Sequence, residues 1–343
     1  MRPVFQIRVN GLDITRQVNE RLIDLRIDDN AGIENDSLNL TLDAKRPHIQ
    51  IPPRGAVIEV QLGYLKAENM RQPAPMSYMG SFIYDEVEVE KSKSGGTTLV
   101  ISAHAINSAD PWKEPKTVSY HDTTLRKIFE EAVARHPGYT LSIEGELGDI
   151  VIRNFEQNSL SDIAMIQKLG LKYGANVKVF DKRVYVARPG TVQRFADTIR
   201  EDDCQSYYWL TQGRSLHRAV RARSWNKDTG VMQTALAETK EPNAQAVYEL
   251  PKVYPTIEDA QEAAQAQAIS LAKSRDVFTF TLFHGNPLLL AEMLLRCDGP
   301  GFYAEMPRLW NIAKVTHSFS KSGGFTTSGH CELPRRDGDD PTE

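Results

Sequence analysis

The chain has 343 residues, 45 acidic against 41 basic side chains and a formal charge of −4; this length suits two or three domains that need no disulfide or metal staple, and the negative balance argues against a nucleic-acid binder held by bulk charge. Cys204, Cys297 and Cys331 are too few and too scattered for a disulfide framework, and read as reduced thiols of a cytoplasmic product. The opening MRPVFQIRVNG has no apolar signal region and no run reaches bilayer-spanning length, so neither export nor membrane insertion is predicted.

From Phe5 to about Ile106 the strand patterns FQIRV, LIDLRI, SLNLTL, AVIEVQL, FIYDEVEVE and TTLVISA follow one another, separated by the turn clusters DDNAGIEND and RPHIQIPPRG. That spacing predicts a β-sandwich or barrel. In the fifth pattern Val87 and Val89 alternate with Glu86, Glu88 and Glu90, which puts valine toward a core and glutamate toward water. Gly95 and Gly96 then mark a hairpin turn. An odd-numbered loop centred on Gly95 opposes Val89 to Ile101 and Val87 to Ala103, because a one-residue slip would turn the apolar set outward.

Between Tyr120 and Pro189 helix and strand patterns mix. Asp122 is positioned to cap a helix bearing Leu125, Ile128, Phe129, Ala132 and Val133 on one face, ended by His136, Pro137 and Gly138. Ser161 or Ser159 starts a second helix with Ile163, Ile166 and Leu169 inward, stopping near Gly170, and NVKVFDKRVYVA reads as a hairpin around Asp181 and Lys182. From about Ser206 to Leu333 strands return. They are interrupted by TIEDAQEAAQAQAISLAKSR, a helix capped by Thr256 with Asp259 and carrying a thin apolar stripe. The closing PRRDGDDPTE, without an apolar residue to dock, is predicted to be disordered.

The stretch KSKSGGTTLVISAH at 91–104 has a near-echo in FSKSGGFTTSGH at 319–330. The elements before each turn also agree in kind: Phe82 aligns with Trp310, Val87 with Val315, and GAVIEVQLGY resembles LAEMLLRCDG. β-Hairpins recur among unrelated folds, so the echo fits either an internal duplication or two independent turns.

In order, VNGLDITRQV, LRIDDNAGIENDSLNLTLD, IPPRGAVIEVQLGY and the FIYDEVEVE hairpin resemble the opening of the phage late control D family, the baseplate hub proteins of contractile tails. SYHDTTLRKIFEEAVARH and NFEQNSLSDIAMIQKLGLKYGANVKVF resemble the middle domain shared with the N-terminal part of VgrG proteins. TIEDAQEAAQAQAISLAK and WNIAKVTHSFSKSGGFTTSGHCEL are similar to the family's closing pattern. The resemblance spans roughly residues 4 to 334 and rests on the order of degenerate motifs, not on any single one; SYYWLTQGRSLHRAVRARSW has no counterpart in it.

This resemblance implies an α+β, mainly β fold with two similar antiparallel β-barrel domains at 1–110 and 196–334, a mixed α/β domain at 111–195 between them, a helix inserted at about 256–275, and a disordered tail at 335–343. It implies a non-enzymatic homotrimer, without cofactor or metal, in the baseplate of a virion or tail-like particle assembled in the bacterial cytoplasm. Its implied partners are a trimeric spike, a tail tube or tube-initiator protein, a tape-measure protein and other baseplate proteins, with no membrane. Three chains with two similar barrels each would present a nearly sixfold face. The alternative is a β-rich tail protein that binds or processes carbohydrate or peptidoglycan.

The chain lacks G-x-S-x-G, H-E-x-x-H, the phosphate loop and the dinucleotide fingerprint. Ser270 and Lys273 form S-x-x-K without the accompanying motifs, on a helix that reads as exposed. Asp28-Asp29 and Glu201-Asp202-Asp203 read as solvated loops between strands, lacking the spacing of a calcium loop. His317, His330 and Cys331 are zinc-like in type, but a second hairpin in the register of the first opposes His330 to Thr316 and puts His317 on the other face. Arg214, His217, Arg218, Arg221 and Arg223 form the strongest basic patch, split by strand alternation between two faces. Trp112, Trp209, Trp225 and Trp310 are too dispersed to mark a carbohydrate site.

Overall fold

The computed structural model describes residues 2–32, 36–45, 49–65, 76–92, 96–105, 111–180, 182–188, 195–211, 217–227, 229–239, 244–273 and 276–334. The fold is α+β and mainly β, as the element pattern predicts. The tail at 335–343, Arg214, Gly95 and Asp181 lie outside the described residues.

The first section contains β1 (Arg2–Val9), β2 (Leu12–Asp13), α1 (Thr15–Arg21), β3 (Leu22–Asn30), β4 (Ser37–Asp43), β5 (Val57–Leu65), β6 (Ser77–Ser92) and β7 (Gly96–His104). Alternate residues of these strands, among them Ile7, Leu25, Ile27, Leu38, Leu40, Ile58, Leu62 and Phe82, are buried in one core. The middle section begins with β8 (Pro115–Thr124), α2 (Leu125–Ala134), β9 (Thr140–Ile143) and α3 (Gly145–Gly148). It ends with β10 (Val151–Ser161), α4 (Asp162–Lys172), β11 (Asn176–Phe180) and β12 (Arg183–Ala187). α2 buries the five apolar residues expected of it, but its N-cap is Thr124, whose hydroxyl accepts the Lys127 amide; Asp122 lies in β8 at a positive φ of 41°. Strand pairing continues through Asp122 to Thr124, so the helix starts two residues later than the acidic cap suggested. Ser161 caps α4 as expected.

The last section holds β13 (Phe195–Arg200), β14 (Cys204–Thr211), β15 (Ala219–Asn226), β16 (Val231–Glu238) and β17 (Val247–Tyr254). These are followed by α5 (Ile257–Lys273), β18 (Asp276–Leu282), β19 (Leu294–Asp298), β20 (Leu309–Ser320) and β21 (Gly324–Glu332). Helix α5 does not stand alone. It lays Ala260, Ala264 and Ala268 on Val220, Ala222, Ala235 and Ala237 of a separate three-stranded sheet, β16-β15-β17, so the insertion between β14 and β18 is a small α/β layer of its own. Thr256 caps α5, its hydroxyl accepting the Asp259 amide at 3.1 Å. The aromatic and basic stretch after Ser206 is thereby divided between β14 in the main sheet and β15 in the inserted one.

The main sheet has 13 strands, in the path β14-β18-β21-β20-β3-β4-β7-β6-β5-β1-β2 with β13 and β19 branching from β20. Within it one four-strand pattern occurs twice. Hairpin β6–β7 closes with Ser92 opposite Gly96, pairs Val89 with Leu99 and Val87 with Ile101, then shifts register between Tyr84 and Glu86. Hairpin β20–β21 closes with Ser320 opposite Gly324, pairs His317 with Thr327 and Val315 with Gly329, and shifts between Ile312 and Lys314, the corresponding place. The flanking strands match too. β3 pairs β4 with a shift between Leu22 and Asp24, and β14 pairs β18 with a shift between Cys204 and Ser206. Ile58 of β5 lies opposite Phe82, as Leu295 of β19 lies opposite Trp310. The halves diverge beyond that point, β1 being antiparallel to β5 while β13 is parallel to β19.

The observed hairpin corrects the expected register. The pairing is symmetric about an odd position as reasoned, but the closing pairs Ser92–Gly96 and Ser320–Gly324 put its midpoint one position before the first glycine of each hairpin. Apolar residues still meet apolar residues, because that shift moves the pairing by two and preserves the faces. Gly96 and Gly324 then occupy left-handed positions, at φ 77° and 69°. The expected inward orientation of Val89 is also corrected: it is 57% exposed, in the part of β6 that runs on beyond its pairing with β5, which ends at Ile83.

Packing shows how one register carries different side chains. In the first half Leu40 lies opposite Ile101; at the equivalent positions Phe280 lies opposite Gly329. A Cβ at Gly329 would sit 2.3 Å from the Phe280 ring. Installing the first-half residue, Gly329→Ile, is therefore expected to lower stability by about 3 kcal/mol or more through overpacking, and adding Phe280→Leu to recover at least about 1 kcal/mol of it. Denaturant unfolding of the two single variants and the double variant measures this coupling.

Candidate functional site

Among the described residues the acidic, imidazole and thiol groups do not assemble into a metal-binding group, and the candidates from the sequence are dispersed. Ser270 is exposed on α5. Glu201–Asp203 forms an exposed 3-10 turn in which the Asp203 carboxylate accepts the Arg200 amide at 2.8 Å. His317 is fully buried between the Thr327 hydroxyl at 3.0 Å and the Leu289 carbonyl at 3.1 Å, whereas His330 lies opposite Lys314 on the other face of the sheet. Cys204, Cys297 and Cys331, scattered in sequence, converge in the core of the second half, where burial pushes the Cys297 thiol up to about 12. Arg221 and Arg223 share the open face of the inserted sheet with Trp225, Met232 and Leu236, and Arg223 pairs with Glu249; Arg218 is exposed just before the strand. The Ser206–Thr281–Ser328 side of the main sheet forms a shallow trough lined by hydroxyls, Tyr208 and His330.

Asp28 and Asp29 depart most from expectation. They lie not in a solvated loop but in β3, buried, at the seam where β3 pairs β20. Asp28 accepts from Arg26 at 3.1 Å and from the Thr316 hydroxyl, with Lys314 at 3.6 Å. Asp29 accepts the Ala291 amide at 2.9 Å and pairs with Lys178 of β11, whose ammonium also reaches the Asn30 carbonyl at 3.1 Å and Asp36 at 3.5 Å. Nearby, Glu292 accepts the Gly32 amide at 2.9 Å and Asn176 at 3.1 Å. All three sections of the chain thus meet at one buried cluster. Burial, reinforced by Asp29, pushes the Asp36 carboxyl up to about 7 against the pull of Lys178; Lys178 itself is held up by Asp29 and Asp36 despite its burial. Removing one partner of such a buried pair strands the other charge.

A second ionic cluster holds the middle section. Asp162, fully buried, accepts from Lys116 at 2.7 Å, Arg135 at 2.8 Å, Gln157 at 3.0 Å and His136 at 2.9 Å, and His136 stacks on Trp112 at 3.8 Å. Burial alone would raise its carboxyl; the hydrogen bonds, Arg135 foremost, hold it well below the usual range. With every charge engaged by a structural partner, the cluster acts as an internal brace. Sequence reasoning missed both clusters because their members lie on different strands and helices.

These features describe a sheet held by buried ionic braces. No protein-family model matches the chain. The probable baseplate hub protein of Escherichia phage 186 is 26% identical over 381 residues, covering 98% of this chain and 94% of that protein. Over its full length, the chain is similar to baseplate hub proteins. Among solved structures, a 43 kDa tail protein of prophage MuSo2 from Shewanella oneidensis has a TM-score of 0.73 at 11% identity, covering 97% of this chain and 98% of that one. A chain of the Francisella PdpA-VgrG complex has a TM-score of 0.61 at 11% identity, covering 100% of this chain and 60% of that one. The resemblance read from the order of the sequence motifs is met by these relatives. No helix among the described residues is long and apolar enough to cross a membrane.

Burial lowers the His317 imidazole to about 4, so in the folded chain it stays neutral while the unfolded chain takes up a proton below about pH 6.5. The stability this contributes is complete above about pH 6.5 and is lost as pH falls toward 4, amounting to about 3 kcal/mol. Comparing urea midpoints of the parent chain and His317→Gln across that window is expected to show the difference between them narrowing with acid.

Proposed function

We propose that this chain is a structural baseplate hub of a contractile tail or tail-like injection particle. It acts as a homotrimer that joins a trimeric spike to the hexameric tail tube. The observation that carries the reading is the doubled four-strand pattern, with its matching register shifts, inside one continuous sheet. Three copies of a chain with two equivalent units supply six equivalent units, so a threefold assembly can offer a near-sixfold face. Full-length similarity to proteins named as probable baseplate hubs supports the same role. In this reading residues 1–110 and 196–334 are the two ring-forming domains, and 111–195 is the domain between them, keyed to both by the Asp29–Lys178 cluster. The inserted layer of α5 with β15 to β17 belongs to the second ring domain and meets the middle domain where Lys172 of α4 pairs with Asp259 at 2.7 Å. The protein works by shape and pairing, in the baseplate of the particle, without cofactor or turnover.

The oligomeric state tests the reading. Light scattering of the purified chain, alone and with its spike, is expected to give a trimer; a monomer under both conditions overturns it. The same preparation is expected to release no product from peptidoglycan, peptide or ester substrates. Activity that survives repurification and is abolished by one point substitution would remove the non-enzymatic reading.

A further inference from the structure

The seam between β20 and β3 pairs Lys314–Ser320 with Asp24–Asn30 and opposes His317 to Ile27. Each of these two strands has an equivalent in the other half. By the matched hairpins, Lys314, Val315 and His317 of β20 correspond to Glu86, Val87 and Val89 of β6. By the matched pairings of the flanking strands, Leu25, Ile27 and Asp29 of β3 correspond to Tyr207, Trp209 and Thr211 of β14. The equivalent edges, however, do not meet within the chain. Among the described residues β14 pairs only β18, and Glu86–Lys91 pairs only β7. The main sheet therefore ends at one side in the edge of β14 and carries, near its other side, the outer edge of β6.

Side-chain exposure follows the same division. Val315, His317, Leu25 and Ile27, at the internal seam, are all buried, and their equivalents at the open edges are not. Val87 is half-buried, Val89 is 57% exposed, and Tyr207 and Trp209 are half-buried. The Trp209 indole N–H is shielded from solvent yet has no acceptor among the described residues. Exposed edges with apolar alternate residues are templates for another strand.

We propose that these two edges join copies of the chain. Val87–Ser92 of one copy pairs antiparallel with Ser206–Thr211 of the next, in the register of the internal seam, opposing Val89 to Trp209, Val87 to Thr211, Glu88 to Leu210 and Glu90 to Tyr208. The occupant of each edge is a second copy, because the edges are the two unmatched halves of a junction the chain already makes once with itself. The contact is head-to-tail, and it closes into a ring when the rotation per copy fits. Seams within and between copies then alternate around one sheet. The outer seam is the more polar of the two: Phe319, packed in the first core, is replaced at its tip by Lys91, and three glutamates line the other face of β6. Charge on a free edge discourages pairing with unrelated strands.

This inference rests on the ring-forming reading above, and the experiment separates the two. Antiparallel partners alternate between wide and narrow pairs, so of two adjacent pairs one is narrow enough to bridge. Two double variants, Glu88→Cys with Leu210→Cys and Val89→Cys with Trp209→Cys, are oxidised in the purified full chain and run without reductant. The native thiols are all buried. At least one variant is expected to give covalently linked oligomers, whereas Glu88→Cys with Tyr208→Cys, two residues out of register, gives none. Val89→Asp, which places a charge at a position exposed in the single chain, is expected to weaken self-association about tenfold or more. Its circular dichroism should be unchanged. Association without in-register cross-links, or undisturbed by Val89→Asp, overturns this seam and leaves the hub reading standing. A chain that stays monomeric throughout overturns the seam together with the ring.

Discussion

The architecture depends on a backbone seam, the antiparallel pairing of β20 with β3. Strands far apart in sequence are tied there by main-chain hydrogen bonds, so the two halves form one sheet instead of two bodies on a linker. The seam is then locked by side chains that only a multi-part junction can bring together: Asp28 held by Arg26 and Thr316, Asp29 by Lys178 and the Ala291 amide. Such buried charges contribute less to net stability than apolar residues of the same volume would, but they penalise misplacement heavily, since a shifted partner leaves an uncompensated charge. Apolar contacts reinforce the lock, with Phe5 edge-on to Phe319 at 5.0 Å and the Tyr64 hydroxyl donating to the Gly285 carbonyl at 2.8 Å.

Low sequence identity and close structural likeness are compatible because the repeated quantity is the register. Strand pairing is set by the backbone and by which face is apolar, and several side-chain combinations fill the same volume. Leu40 with Ile101 and Phe280 with Gly329 occupy equivalent positions, one pair sharing the volume evenly and the other giving nearly all of it to a ring. The same tolerance lets a chain 11% identical to a prophage tail protein share its fold at a TM-score of 0.73.

Much of this was legible in the sequence and some was not, for physical reasons. Strand alternation, the faces of α2 and α4, the Thr256 cap and the kinship of the two hairpins are local patterns, readable from neighbours in the chain. The functions of Asp28 and Asp29 were hidden because a polar pair at the end of LIDLRI looks like the start of a turn unless the strand that will cover it is known. Val89 misled in the opposite sense: its alternation is that of a core residue, but it is more than half exposed in the single chain. The inserted sheet was missed because its helix core is alanine, which carries a strong helix signal and little hydrophobic contrast.

The two copies of the four-strand pattern differ most in what joins their first two strands. Between β3 and β4 the chain spends positions 31–36; between β14 and β18 it spends 212–275, enough for a sheet and a helix with their own small core. That connection leaves and re-enters the sheet at neighbouring strands, so its contents can change without altering any pairing in the scaffold. The connection is therefore a socket: among the described residues the module it carries shares no strand pairing with the main sheet, and it meets the middle section where Lys172 of α4 pairs with Asp259 of α5.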